Sequence, residues 1–364
     1  MRYLVITDSF KGSISSQDAA ESILCGLGDG VAAPFSDGGE GFIQSVFCAC
    51  GGEKVFLPTV DSYGRPYTTH YLRINNTAVI ETALADGLVT VGDDHPCITT
   101  ACSVGTGETI KKALEDGCTE IIIGFGGSAV NDGGTGALYA LGARFYKNEK
   151  EIPPSGLCGE ECDEFDISGL TPLLKTARFI FACDVENPFY GENGASIVYS
   201  PQKGADTETA LRMDKSHKRL CGVLEKATGR DIAHIKGAGA AGGLTGGLLA
   251  VTDAEIKSGF EVISSLYRLE DMIKNADVII TGEGKTDFQT LNGKLPKRVV
   301  DTAKRFGKRT VCVSGVITPE GYSLGADSYL PLVNGDITPE MAIKNPKKYL
   351  FDAGRKIKNI FEGV

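Results

Sequence analysis

Glycine, carboxylate and lysine recur together in this chain in a pattern suited to phosphate chemistry. The richest segment, residues 124–136, holds six glycines with Ser128, Asn131 and Asp132, and follows directly on the β-branched run Ile121-Ile-Ile123. A strand that empties into glycines presents bare N–H groups and lets phosphate oxygens approach closely. Asp132 would repel a naked phosphate, so the pattern calls for a divalent cation or a substrate hydroxyl beside it. Four further segments repeat the theme: Asp8-Ser-Phe-Lys-Gly-Ser13, Ser36-Asp-Gly-Gly-Glu-Gly41, Gly237-Ala-Gly-Ala-Ala-Gly-Gly-Leu-Thr-Gly-Gly247 and Thr281-Gly-Glu-Gly-Lys-Thr-Asp287. Together they predict a shared polar cleft.

Each segment also has a plainer reading. Asp8, Ser9 and Lys11 could form a helix-capping turn with a solvated lysine, but they stand at a strand's carboxyl end, where ligands bind in open α/β sheets. Asp287 has the same placement and could equally be the N-cap of the next helix. Asp37 and Glu40 flank Gly38-Gly39, a constellation that an ordinary surface turn would also produce. Asp184 ends the apolar run 179–182 and reads as a base, a metal ligand or an Asx turn before Pro188. Lys203, in Pro201-Gln-Lys-Gly204, is a point charge in a tight turn, able to meet a phosphate or carboxylate. Gly237-x-Gly-x-x-Gly242 matches a dinucleotide fingerprint in letters, but no clear strand precedes it. Gly284-Lys-Thr286 resembles the end of a Walker loop, but Ile279 stands where its first glycine belongs. His70, His95, His217 and His234 lack catalytic or metal-binding spacing and read as structural or surface residues.

The elements that must position these residues alternate as parallel βαβ units do. A strand at 3–7 leads to a helix with Ala19, Ala20, Ile23, Leu24 and Leu27 on one face, capped by Ser15 or Ser16. A helix at 106–116, stopped by Gly117, feeds a strand at 120–123. A strand at 276–281 passes into the Gly282 loop, a helix spans 297–306, and the next parallel strand spans 310–315. Residues 54–82 alternate as antiparallel strands around Ser62-Tyr-Gly64, and residues 147–178 read as a polar peripheral excursion. The predicted architecture is two α/β domains. One is a Rossmann/flavodoxin-like parallel-sheet domain made from both chain ends, 1–60 plus 265–364; the other is an inserted mixed α/β domain at 61–264, with the active site in the cleft between them.

Composition narrows the function. A chain of 364 residues exceeds the usual size of one core, and its 42% hydrophobic and 23% charged content is that of a globular enzyme. The 47 glycines cluster without a period, which excludes collagen-like and linker architectures. A net charge of −10 with no basic stripe argues against nucleic acid. No apolar window approaches a membrane span, and the opening stretch is too short for a secretory signal. The 11 cysteines lack CxxC pairs, and most read as small buried hydrophobes in a reducing cytoplasm.

In this order, the segments resemble the glycerate kinase family of the bacterial type, which lacks a Walker loop. The resemblance is carried by Asp8-Ser-Phe-Lys-Gly, Asp37-Gly-Gly-Glu-Gly41, Gly105-Thr-Gly-Glu108, Gly126-Gly-Ser-Ala-Val-Asn-Asp-Gly-Gly134, Cys183-Asp-Val-Glu-Asn-Pro188, Pro201-Gln-Lys-Gly204, Gly237-Ala-Gly-Ala-Ala-Gly-Gly243, and Gly282-Glu-Gly-Lys-Thr-Asp287 with Gln289-Thr-Leu-x-Gly-Lys294. It implies an ATP-dependent kinase of D-glycerate, dependent on Mg²⁺ and located in the cytoplasm; a homodimer is compatible with it. Val130 replaces a familiar threonine, Lys285-Thr replaces Arg-Ile, and Lys297-Arg298 adds two positive charges where small or apolar residues are more usual.

Read as such a kinase, the turns holding Gly126, Gly127, Ser128, Asn131, Asp132 and Gly133, and those holding Gly237, Gly239, Gly242, Gly282 and Gly284, are expected to contact nucleotide phosphates. Lys11, Lys203 and Lys285 are cations for the γ-phosphate or the glycerate carboxylate, with Ser9, Asp37, Gly38 and Gly39 on the substrate side. Asp184 and Asp287 are candidates for Mg²⁺ or for the general base, joined by Asp8. Two rival readings remain: a nicotinamide-dependent hydroxy-acid oxidoreductase, resting on the Gly237 fingerprint, and a non-catalytic nucleotide-binding sensor.

Overall fold

The computed structural model describes residues 1–36, 38–91 and 97–363. Asp37 and His95, both singled out from the sequence, lie outside the described residues. The chain divides into two compact units, Met1–Asp37 with Gln44–Gly51 and Phe260–Val364, and Gly38–Ile43 with Gly52–Gly259.

The first unit is built on a five-stranded parallel sheet in the order Ser328–Pro331, Arg309–Ile317, Val278–Thr286, Tyr3–Thr7, Val31–Ala32. Tyr3–Thr7 and the first four residues of Val278–Thr286 are apolar runs, as a sheet covered on both faces requires. Val5, Ile280, Val311 and Val313 pack with Ala20, Ile23 and Leu27 of the helix Ser16–Leu27 and with Leu350, Ala353 and Ile357 of Pro346–Glu362. Cys312 and Val300, the latter on the helix Leu295–Arg305, form a separate cluster. Ser15 caps Ser16–Leu27, accepting from Asp18 N at 3.1 Å.

The second unit carries a six-stranded mixed sheet in the order Glu255–Lys257, Arg178–Ala182, Glu120–Gly124, Thr77–Glu81, Pro66–Ile74, Glu53–Val60. The first four strands run parallel and the last two antiparallel. The α/β class expected from the sequence is therefore what the chain adopts.

Three details differ from the sequence expectation. The strand placed at 276–281 continues to Thr286, because Gly282, Glu283, Lys285 and Thr286 keep their register with the long strand Arg309–Ile317. Gly282 is therefore strand rather than loop; a Cβ there would overlap the carbonyl oxygen of Val313. The polar excursion holds real structure, since Lys150–Ile152 and Glu164–Asp166 flank Arg144–Lys147 in a small antiparallel sheet. Finally, the expected boundary at residue 60 differs from the observed division: Glu53–Val60 pairs along its length with Pro66–Ile74, and Gly38 bonds to Gly126, so both segments belong to the second unit.

Candidate active site

In the second unit, most of the candidate residues gather at the carboxyl ends of three neighbouring parallel strands. Beyond Glu120–Gly124 the chain turns through Gly126 and Gly127 into Ser128. Gly126 donates its N–H to the carbonyl of Gly38 at 3.0 Å, and a Cβ on Gly126 would overlap Gly39. Gly38, with φ of 88°, lies against the end of Arg178–Ala182, 2.9 Å from the Ala182 oxygen for an added Cβ. The two predicted segments therefore meet as backbone on backbone. Gly127 is exposed, and among the described residues the N–H groups of Gly127 and Ser128 have no acceptor.

Lys203 reaches this turn from the short 3-10 helix Pro201–Lys203. Its Nζ donates to Val130 O at 2.6 Å and to Ser128 Oγ at 3.2 Å. The side chain is buried, and among the described residues no carboxylate lies within 4 Å of the ammonium. Burial lowers its pKa to about 7, a shift that Asp132 opposes. A buried cation of this kind gains most from the arrival of an anion.

Asp132 is hydrogen-bonded on both oxygens. Its Oδ2 accepts from Ser103 N (2.9 Å), Ser103 Oγ (2.8 Å) and Gly136 N (2.8 Å), while Oδ1 accepts from Gly134 N (3.0 Å). The carboxylate organises the turn and the start of the helix Thr135–Ala140. Asn131 is also buried; its Nδ2 donates to Ser196 Oγ at 2.9 Å, which lies 3.0 Å from His217 Nδ1. Burial lowers His217 to about 4, so the ring is neutral. Asp184, beyond Arg178–Ala182, is exposed and accepts from Gly259 N at 2.9 Å.

The segment 237–247 is buried throughout. The N–H groups of Gly239, Gly243 and Gly246 go to Asn187 O, Gly239 O and Ala238 O. The Gly242 carbonyl takes the N–H of Gly133 at 2.9 Å. Its glycines let this segment nest under the 126–136 turn. Turn residues rather than a strand precede it, so the dinucleotide geometry is missing as well.

Sequence reasoning passed over two acids of this site. Glu81 ends the strand Thr77–Glu81, buried, and accepts from Gly41 N and Ile43 N, both at 3.1 Å. Burial pushes it up to about 7, against those N–H groups and with Glu40 adding to the rise. Asp86, fully buried, accepts from Thr106 N at 2.9 Å, its carbonyl takes Ala129 N, and burial pushes its carboxyl up to about 8. Glu81 follows the apolar run Ala78-Val-Ile80, the same signal that marked Asp8 and Asp184. Asp86 had no such signal, because its burial depends on the distant start of the helix Val104–Glu115.

In the first unit, Asp8 follows Tyr3–Thr7, its N–H bonded to Gly282 O at 3.0 Å and its Oδ1 accepting from Ser9 N at 2.7 Å. Lys11 is exposed, and its N–H lies 3.5 Å from where a Gly284 Cβ would stand. Asp287 caps the helix Phe288–Leu291, accepting from Gln289 N at 2.9 Å, and Lys285 Nζ stands 3.3 Å from its Oδ2. Partial burial raises its pKa, but Lys285, the Gln289 N–H and Lys294 outweigh that and leave it below the ordinary range. Glu283, buried, accepts from Thr290 Oγ1 at 2.5 Å and Thr286 Oγ1 at 3.2 Å, and burial raises its pKa.

A nucleotide-borne Mg²⁺ needs only one or two carboxylates beside the phosphates. Asp184, exposed at a strand's carboxyl end, suits that demand. Asp287 has a backbone N–H at one of its oxygens and an ammonium at the other.

The glycerate kinase family profile matches residues 3–362. The chain is 37% identical to the glycerate kinase of Bacillus subtilis (strain 168), covering 98% of this chain and 97% of that one. It is 38% identical to the glycerate 2-kinase of Escherichia coli (strain K12), over 88% and 86% of the two chains. A crystal structure of a candidate glycerate kinase 2 from Salmonella typhimurium LT2 superposes with a TM-score of 0.87 at 34% identity, covering 100% of this chain and 98% of that one. No helix among the described residues is long and apolar enough to cross a membrane. A profile match spanning nearly every residue, over a fold and a set of glycine-rich turns that agree with it, establishes that this chain belongs to the glycerate kinase family.

Proposed function

We propose that this member of the family transfers the γ-phosphoryl group of ATP to a hydroxyl of D-glycerate in the cytoplasm, with 2-phosphoglycerate as the favoured product. The observation that carries the reading is Lys203, a buried ammonium without a carboxylate partner among the described residues, held at the turn where the N–H groups of Gly127 and Ser128 are open. Phosphoryl transfer asks the protein for position and charge more than for covalent chemistry. Lys203 offers an ammonium that an arriving phosphate or carboxylate would hold in its charged form, and the two N–H groups supply directional donors. Gly38 and Gly39, packed on Gly126, are the surface against which D-glycerate would rest.

Mg²⁺, when bound, would neutralise charge on the nucleotide phosphates, with Asp184 and Asp287 as the carboxylates that could hold it. Asp8 and Asp287 remain candidates to accept the proton of the attacking hydroxyl, with Lys11 and Lys285 as nearby cations. A coupled assay of ADP release with D-glycerate, L-glycerate and other hydroxy acids tests the substrate, and phosphorus NMR of the product tests the position. Turnover of D-glycerate that is abolished by EDTA and restored by Mg²⁺ is expected. Turnover confined to a different acid would overturn the substrate, and EDTA-resistant turnover would overturn the metal dependence.

A further inference from the structure

We propose that Glu81 is a positioning residue for the substrate, clamping the loop 38–41 so that Gly38 and Gly39 stay seated on the Gly126 turn. This rests on the reading above, in which that loop contacts D-glycerate. The loop is held at two places. At its start, Gly38 O accepts from Gly126 N at 3.0 Å, and Gly38 fits against Ala182 only because it lacks a Cβ. At its end, one oxygen of Glu81 accepts from Gly41 N and the other from Ile43 N, each at 3.1 Å, while Phe42 N bonds to Gly39 O at 3.1 Å.

Both anchors come from equivalent places in the sheet. Glu81 sits opposite Gly124 in the parallel register, and Thr82 N bonds to Gly124 O at 3.0 Å. The clamp and the glycine turn are therefore neighbouring strand ends, and a shift of one moves the other. A carboxylate is a costly choice for this position. It is 4% exposed, and no cation lies within 4 Å of it among the described residues. A neutral hydroxyl could cap the helix Phe42–Cys50 without that desolvation penalty. What a carboxylate adds is two acceptors on a rigid fork, one for each of two N–H groups two residues apart.

Protonation would turn one of those oxygens into a donor and release one N–H. Burial raises the group toward neutral pH, and Glu40 is the charged residue that raises it further. The KM for D-glycerate should therefore rise as pH falls below about 7.

The experiment compares wild type, Glu81→Gln and Glu40→Gln by steady-state kinetics with ATP and D-glycerate from pH 6 to 8.5. Thermal melts and hydrogen–deuterium exchange of the peptide covering residues 36–46 accompany it. Glu81→Gln keeps one acceptor but sets an amide NH₂ against the second N–H. It is expected to raise the KM for D-glycerate at pH 8 at least tenfold, with kcat within about threefold and the KM for ATP within about twofold. Amide exchange in the 36–46 peptide should speed up, and the acid rise in KM should vanish. Glu40→Gln should keep the clamp and move that acid rise to lower pH. A Glu81→Gln protein with unchanged glycerate KM and a lowered melting temperature would make Glu81 a helix cap only, and unchanged exchange would overturn the clamp outright. If Glu81→Gln fails to fold, an acid rise in the wild-type KM that Glu40→Gln leaves unmoved overturns the proposal. Absence of D-glycerate turnover in wild type would overturn the functional reading, while the exchange measurement would still decide the clamp.

Discussion

Residues 124–136 and 237–247 are both rich in glycine, yet the chain uses them in opposite ways. The first turn leaves Gly127 exposed and, among the described residues, the N–H groups of Gly127 and Ser128 without acceptors. The second is buried along its whole length, and the N–H groups of Gly239, Gly243, Gly246 and Gly247 go to carbonyls of its own unit. Glycine satisfies two different demands, approach of a ligand to backbone and approach of backbone to backbone, and composition cannot distinguish them. The space beside the missing Cβ can. At Gly242 an added methyl would overlap Val130 O, whereas at Gly127 it would stand 3.3 Å from the Ala83 methyl.

The largest test of that contrast is Gly242→Ala beside Gly127→Ala. Both positions have positive φ, 66° and 75°, so both lose about 1 kcal/mol to backbone strain. Gly242→Ala must in addition push the two turns apart, and a total cost of about 4 kcal/mol or more is expected, read as insolubility or a melting temperature lowered by roughly 10 °C or more. Gly127→Ala should fold with a small loss and reveal itself in the KM for ATP. Equal losses of stability in the two variants would erase the distinction.

Next in size is Asp132→Asn. The amide cannot accept from both sides of the turn as the carboxylate does from Ser103, Gly134 and Gly136. A buried N–H left facing another donor costs about 2–3 kcal/mol, measurable by urea denaturation at unchanged m-value. A variant as stable as wild type would return Asp132 to the list of ligand-facing groups.

Lys203→Met separates stability from function. The folded-state pKa of Lys203, about 7, lies below its ordinary value of 10.5. The unfolded chain therefore binds the extra proton between those two pH values, and wild-type stability should climb as pH rises through that window. Lys203→Met should lack that climb, be at least as stable as wild type at pH 7, and lose about a hundredfold or more in kcat/KM. Denaturant titrations of the two proteins at pH 7 and pH 9, with kinetics at each, measure both effects. A methionine variant that retains kcat/KM would remove the central support for the anion site.

The contrast also explains which parts of the fold and site could be read from the sequence. The strands expected at 3–7, 120–123 and 310–315 announce themselves through short runs rich in apolar and β-branched residues, and the acids and glycines at the carboxyl ends of the first two follow from that placement. Gly282 misled because a glycine after an apolar run usually marks a turn, whereas here it admits the Val313 carbonyl and the strand continues. Lys203 was legible as a cation in a turn but not as a buried one, since its burial is made by Ser128 and Val130, more than 70 residues away. The bonds of Asp132 to Ser103 and of Gly242 to Gly133 were not legible, because those partners lie elsewhere in the chain. Local pattern finds the loops, and tertiary packing decides which atoms remain available.

Asp287→Asn carries the smallest expected change in stability and tests the opposite pole of the comparison, an acid the fold can spare. Asp287 caps a helix of only four residues, and asparagine caps about as well as aspartate. The ion pair with Lys285 is lost, but the lysine side chain is 62% exposed, and such pairs contribute from about 0 to 1 kcal/mol. The melting temperature should therefore move by no more than a few degrees. If Asp287 accepts the proton of the attacking hydroxyl or helps hold Mg²⁺, kcat should nonetheless fall by at least about a hundredfold, the scale of a lost general base. The capping geometry accounts for the residue without any catalytic role, so kinetics must decide between the two. The expected result is a near-native melt with a large loss of kcat for ATP and D-glycerate. A near-native melt with kcat retained would leave Asp287 a cap and transfer the proton-accepting role to Asp184 or Asp8.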